Sequence, residues 1–277
     1  MRKEDGSRQL FDREKVVRTC LRMGANSQIA YAVAEKVERR LYDGISTQMI
    51  LRMIFRFMRK YKPEVGNLFD LKRGLSLMSP KPEFEMFVQV LLAHNGFEVR
   101  SNQILRGKCV EHEVDAIASK DGITYFVETK HHLSYHALTG LDESRIARAV
   151  LEDVAEGFML GRTDLKIDRA MIVTNTRYSE HAIQYGGCRS ILQIGWDSPE
   201  KFGLQNMIRE KKLYPLSCLR GLRGETRMKL VESGIVLIGQ LLGEDLSELA
   251  KKTRLPQAAL RGIAEKARST SNAVGYT

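Results

Sequence analysis

Cysteine is scarce in this chain of 277 residues: four, at 20, 109, 188 and 218, far apart and with no Cys-x-x-Cys pair. A disulfide framework and a thiolate zinc site both need clustered sulfurs, so neither is expected. Long apolar runs are also missing. No stretch approaches the roughly 18 consecutive apolar residues of a membrane-crossing helix, and no membrane partner is expected. The opening residues, Met-Arg-Lys-Glu-Asp-Gly, form no apolar signal segment, which points to a cytoplasmic location. Proline is sparse, and Pro80 and Pro82 stand almost together, so they mark a boundary and a stiff connection. The single tryptophan, Trp196, reads as a core or sheet-edge residue rather than a platform for a base.

What is present is the composition of a soluble globular protein, 43% hydrophobic and 28% charged. The length suits one large domain or two to three small ones. The net charge of +10 is unevenly spread. Residues 1–79 hold 17 Lys/Arg against 9 Asp/Glu, residues 80–200 hold 13 against 18, and residues 201–277 hold 14 against 7. Acids in the middle and cations on both sides suit a metal-dependent enzyme acting on a polyanion, with nucleic acid the expected partner. Ordinary surface charge is the competing explanation.

The centre of the chain carries the chemistry. Residues 113–118 and 123–130 are two apolar, β-branched and aromatic runs flanking Asp121-Gly122, the pattern of a β-hairpin. Asp115 lies in the first strand. Glu128 and Lys130 are two apart in the second and share a face. Carboxylates set side by side in an apolar strand raise each other's pKa and need a counter-charge. A divalent cation such as Mg²⁺, or Mn²⁺, would supply it, since Mg²⁺ takes one or two carboxylates plus waters and phosphate oxygens. Such a metal makes a bound water a better nucleophile, and Lys130 would position that water or neutralise charge on a phosphate. A surface hairpin with ordinary ion pairs is the plain reading of a lone Glu-x-Lys.

Along the chain, a turn at residues 4–7 joins two short strands. Helices follow from Asp12, from Ser27 and from Ser46 or Thr47, and a fourth spans about 65–77. Lys3-Glu4-Asp5-Gly6, then Phe11-Asp12-Arg13-Glu14-Lys15-Val16, then Asp43-Gly44-Ile45-Ser46-Thr47, resembles the ATP-cone. The ATP-cone is the nucleotide-binding module of ribonucleotide reductases and of a bacterial repressor. The resemblance implies an ATP or dATP site with Arg2, Lys3, Lys15 and Thr47 near the nucleotide. Glu4 stands where the family has an arginine, with Arg2 and Arg8 the nearest replacements. Arg52, Arg56 and Arg59 are spaced for one helix face, solvated or nucleic-acid-facing.

After the prolines, Phe84, Phe87, Val88, Leu91 and Leu92 repeat at helical spacing up to Asn95-Gly96, with Glu85 at the edge of the stripe. A short strand at 97–99 and a loop precede the hairpin. A long amphipathic helix over 142–160, a buried strand over 170–175, a helix capped by Ser179 and a strand over 191–197 follow it. The order of helix with boundary acid, strand, Asp strand and Glu-x-Lys strand resembles the PD-(D/E)xK nucleases, in particular their Mrr-like restriction-endonuclease branch. That resemblance implies metal binding by Asp115 and Glu128, assistance to the attacking water by Lys130, and a supporting role for the helical acid Glu85. His131 reads as substrate-facing at the mouth of the site, and the other histidines as incidental.

The segment 220–235, Arg-Gly-Leu-Arg-Gly-Glu-Thr-Arg-Met-Lys-Leu-Val-Glu-Ser-Gly-Ile, resembles a helix-hairpin-helix, whose glycine hairpin offers backbone N–H groups to a DNA phosphate. Gly221, Arg223, Gly224 and Thr226 are the implied contacts. Arg223 stands where the family's Gly-x-Gly has its second glycine.

The expected fold is therefore multidomain α/β. An N-terminal hairpin plus four helices forms an ATP-cone over 1–79. A mixed sheet flanked by helices, restriction-endonuclease-like, covers 80–212. An all-α helix-hairpin-helix covers 213–277. The expected activity is metal-dependent DNA endonuclease action under adenine-nucleotide control, with a change of homo-oligomeric state as one route for that control. The alternative is a catalytically inactive, nucleotide-responsive DNA-binding regulator.

Overall fold

The structure, a computed structural model, describes residues 1, 7–23, 25–61 and 71–273. It divides into two compact units, one of residues 1–70 with 216–277 and one of residues 71–215. The second unit thus begins at Leu71, ahead of the paired prolines.

In the first unit, α1 (Arg13–Arg22), α2 (Ser27–Glu38) and α3 (Thr47–Tyr61) each start at a side-chain cap. Asp12 accepts from Lys15 N, Asn26 from Ile29 N and Ser46 from Met49 N, so each satisfies an N–H that the first turn leaves free. Val16, Val17 and Cys20 of α1 share a core with Ala30, Val33 and Val37 of α2 and with Ile50, Ile54 and Phe57 of α3. Their three- and four-residue spacing puts one apolar stripe on each helix. Arg52, Arg56 and Arg59 occupy the exposed side of α3. Met1 and Gln9 exchange two backbone hydrogen bonds, while the turn expected at 4–7 lies mostly outside the described residues.

The same unit contains the C-terminal helices. A 3₁₀ turn (Leu216–Cys218) precedes α9 (Gly224–Glu232), α10 (Ile238–Gly243), α11 (Leu246–Thr253) and α12 (Gln257–Ala273). Gly221 and Gly234, both at positive φ, make the bends on either side of α9. The element before the Gly221 bend is thus a three-residue 3₁₀ turn.

The second unit is built on a five-stranded sheet in the order β1-β2-β3-β5-β7. Its strands are β1 (Glu98–Arg106), β2 (Glu111–Lys120), β3 (Ile123–Lys130), β5 (Arg169–Thr174) and β7 (Leu192–Ile194). The first three pair antiparallel and the last three parallel, so the sheet is mixed. The β2–β3 turn puts Asp121 and Gly122 at positive φ, as a two-residue hairpin demands. Parallel pairing needs crossovers, and α6 (Leu141–Met159) and α7 (Glu180–Cys188) supply them. Ile117, Phe126 and Ile172 of the sheet share a core with Ala147, Leu151 and Val154 of α6. Ala116, Val127 and Met171, also buried, alternate with them and point the other way. α5 (Glu85–His94) packs on β1 and β2. The remaining elements are α4 (Leu71–Ser76), α8 (Leu204–Glu210) and a short parallel pair, β4 (Leu138–Thr139) with β6 (Arg177–Tyr178).

Three local expectations change. β1 runs nine residues, where a three-residue strand and a loop were expected, because pairing with β2 resumes past Asn102, at Ser101–Ala116 and Gln103–Val114. The expected stiff connection at the prolines is a kinked turn, Pro80–Phe84, with extended backbone at Lys81, leading directly into α5. Glu83 closes it by accepting from Ser79 N at 2.9 Å. The last strand stops at Ile194, short of Trp196, which is buried with the Lys72 ammonium 5.3 Å above its ring. Among the described residues no helix is long and apolar enough to cross a membrane.

Candidate active site

The site lies where two paired strands part. The β2–β3 ladder runs from Lys120–Ile123 to Ala116–Val127 and ends there. Beyond it, β2 stays paired with β1 at Val114–Gln103, and β3 with β5 at Glu128–Ile172 and Lys130–Thr174. Asp115 and Glu128 are the first residues past the fork. A backbone donor at such a fork loses its ladder partner and must find another. Asp115 provides it: Oδ2 accepts from Thr129 N at 2.7 Å and from Thr129 Oγ1 at 2.8 Å. From the helix side, the Gln89 amide donates to Asp115 O at 2.9 Å.

Two ion-pair clusters meet here. Lys81 Nζ lies 2.9 Å from Glu85 Oε1 and 3.4 Å from Asp115 Oδ1. Lys130 Nζ lies 3.2 Å from both Glu128 Oε1 and Glu143 Oε2. The clusters sense each other. Burial raises the pKa of the Glu128 carboxyl, the Asp115 charge raises it further, and Lys130 opposes both. Burial likewise raises that of Glu85 against the pull of Lys81, with Asp115 adding to the rise. The hydrogen bond that the Lys81 ammonium donates to Glu85 pushes its pKa upward. Burial works to lower that of Lys130, but Glu128 and Glu143 outweigh it and the net shift is upward.

A cleft of about 300 Å³ opens beside this cluster, lined by Glu128, Lys130 and Glu143 together with His112, Glu113 and Val150. His112 is held there by Asp153, with Nε2 2.8 Å from Oδ2. Asp153 also accepts from Cys109 N and Val110 N, and these contacts hold its carboxyl well below the usual range. Among the described residues, no three or more His, Cys, Asp or Glu side chains are gathered to hold a metal ion. Two carboxylates completed by water and phosphate oxygens are nevertheless a set that Mg²⁺ takes. The Lys81 ammonium between Glu85 and Asp115 shows that the acids accommodate a cation.

The structure thus places Glu85 with Asp115 around Lys81, and Glu128 with Lys130, close enough for the Asp115 charge to act on Glu128. Sequence reasoning missed Lys81, Thr129 and Glu143. Neither Lys81, on extended backbone at the kink before α5, nor Glu143 had a local signal. His131 departs from the expected mouth of the site. Its Nε2 binds Leu75 O at 2.9 Å, its ring lies 5.2 Å from that of Phe84, and burial lowers its pKa. His132 joins the polar network of Thr139 and Asn175.

Of the expected nucleotide contacts, Arg2 and Lys3 lie outside the described residues. Lys15 is exposed on the first turn of α1, and Thr47 half-buried at the start of α3. Gly221, Arg223 and Gly224 are exposed at the bend before α9, with Thr226 half-buried in its first turn.

A mixed sheet with an aspartate at the strand fork, Glu-x-Lys on the next strand and a helical acid alongside defines a restriction-endonuclease-like domain. Comparison with known proteins agrees. The family described as "Restriction endonuclease" matches residues 75–193, and the ATP cone domain family matches residues 1–65. An uncharacterized protein of Archaeoglobus fulgidus is 37% identical over 171 residues, 59% of this chain and 92% of that protein. A second uncharacterized protein of the same organism is 54% identical over 39 residues, 14% of this chain and 83% of that protein. The crystal structure of a protein of unknown function is 32% identical with a TM-score of 0.60, covering 70% of this chain and 97% of that one. The chain belongs to the family of these proteins, and it carries an ATP cone domain fused to a restriction endonuclease domain.

Proposed function

We propose that the protein is a metal-dependent DNA endonuclease whose activity answers to adenine nucleotide at the ATP cone. The observation that carries this is the fork between β2 and β3, with Asp115 and Glu85 paired to Lys81 at the fork and Glu128 and Lys130 lining an open cleft. Asp115 and Glu128 would hold Mg²⁺ or Mn²⁺, which supplies a water of lowered pKa and neutralises phosphate charge. Thr129 fixes the Asp115 carboxylate from the side away from Lys81. Lys130, kept protonated by two carboxylates, stabilises charge on the scissile phosphate and orients the attacking water. Glu85 completes the acidic patch from α5. DNA is the proposed substrate, with Gly221, Arg223, Gly224 and Thr226 as backbone contacts at the N-terminal end of α9. ATP or dATP would be held by the N-terminal helices, Lys15 and Thr47 included.

A second reading has its own observation: each acid of the patch is already ion-paired to Lys81 or Lys130. A regulator that binds DNA without cutting it would look like this. Plasmid and linear DNA incubated with Mg²⁺ or Mn²⁺ separates the two. Cleavage by the wild type that drops at least about a hundredfold in Asp115→Ala and Lys130→Ala supports the nuclease. Uncut DNA with a retained band shift supports the regulator.

A further inference from the structure

The geometry points to Lys81 as a built-in counter-cation: its ammonium occupies the acidic patch in place of a divalent ion and must leave when one binds. The lysine thereby sets how much metal the site needs. This rests on the carboxylate site of the proposed nuclease but on no cleavage step.

Three observations converge. Lys81 Nζ reaches both acids, at 2.9 Å from Glu85 and 3.4 Å from Asp115. The two oxygens of Asp115 are divided: Oδ2 is taken by Thr129 N and Oγ1, and Oδ1 is the one facing Lys81. Oδ1 is therefore the atom left for a metal, so lysine and metal compete for one oxygen. Mobility is also divided. The side chains of Glu85 and Asp115 are each 9% exposed, whereas that of Lys81 is 66% exposed. Buried acids stay where packing holds them, while an exposed four-carbon stem swings away at small cost. Lys81 lies four residues ahead of Glu85, in the turn that leads into α5, so the backbone keeps its ammonium close after it leaves. Two buried carboxylates without a counter-charge repel each other, so the metal-free site needs this cation. With a metal bound, the same ammonium is a like charge beside it.

Removing the ammonium should tighten metal binding. Full-length protein stripped with EDTA and dialysed is titrated with MnCl₂, following the heat and the free-Mn²⁺ electron paramagnetic resonance signal. Lys81→Met should bind about tenfold tighter than wild type, the size of a like-charge repulsion near the surface. Lys81→Arg, which keeps the cation, should stay within about twofold of wild type. Lys81→Gln repeats the neutralisation with a polar side chain, and Asp115→Asn should abolish binding in every background. Unchanged or weaker binding in both neutral variants overturns the inference. So does Lys81→Arg behaving like Lys81→Met, or Mn²⁺ binding that survives Asp115→Asn. A wild type that binds Mn²⁺ but cuts no DNA would sink the nuclease reading and leave the affinity difference standing.

Discussion

Glu128 shows how much of the site is a balance of charge against burial. Its carboxyl is shifted above the ordinary 4.5 by burial and by Asp115, and Lys130 only partly offsets them. A group whose pKa is raised on folding binds its proton more tightly in the folded state. The stability it contributes is full below 4.5 and is lost as pH rises through the raised folded value. Without metal, Glu128→Gln should therefore gain on wild type across that window. Urea unfolding in EDTA at a series of pH values tests it: the difference between variant and wild type should grow with pH, and a flat difference would remove burial as the cause. Glu85 shifts in the same direction, so the variant keeps a smaller slope of its own. At this scale the sequence showed the acids, because the two-residue pleat fixes which side chains share a face. It concealed the partners: Glu143 meets Lys130 only through the tertiary placement of α6.

At the scale of elements, α6 links the site to the end of β1. Glu143 sits in its first turn, and Gly157 lies near its other end, about 21 Å along at 1.5 Å per residue. A Cβ on Gly157 would lie 2.4 Å from Arg106 O and 2.8 Å from Gly107 C, both backbone atoms that cannot turn aside. Gly157→Ala must then push helix and strand apart. Overpacking of this kind costs about 1–3 kcal/mol, against a helix-propensity gain of up to about 1 kcal/mol. A net loss of about 1–2 kcal/mol is expected in urea unfolding. Gly187→Ala in α7, with open space around its Cβ, should be neutral or stabilising, and equal behaviour of the two would refute the close approach. The hairpin and its turn were legible because Asp-Gly between β-branched runs is a local signal. The extension of β1 and the turn at Pro80–Phe84 were not, since partners distant in sequence or unusual local winding decide them.

Over the whole molecule, the acid-rich stretch 80–200 sits between two basic segments in sequence. Long-range attraction of a polyanion then falls to the flanks, and a cation is needed before a phosphate can approach the fork. The ATP cone belongs to one of those flanks, so adenine nucleotide and DNA are predicted to be energetically coupled. Coupling between two ligands is reciprocal: whatever factor ATP imposes on DNA affinity, DNA imposes on ATP affinity, typically about 5- to 150-fold. Calorimetric titration of ATP and dATP into free and DNA-bound protein, in Ca²⁺ to prevent cutting, measures one side of the cycle. DNA titration with and without nucleotide measures the other, and the two factors should agree. Lys15 is bound only loosely, 3.9 Å from Asp12 across an exposed ion pair, so its ammonium is available to a phosphate. Lys15→Ala should weaken nucleotide binding by about tenfold, the worth of one charge-assisted hydrogen bond. No heat from either nucleotide would reduce the N-terminal module to a scaffold. Binding with equal affinity in the presence and absence of DNA would leave the nuclease domain without nucleotide control.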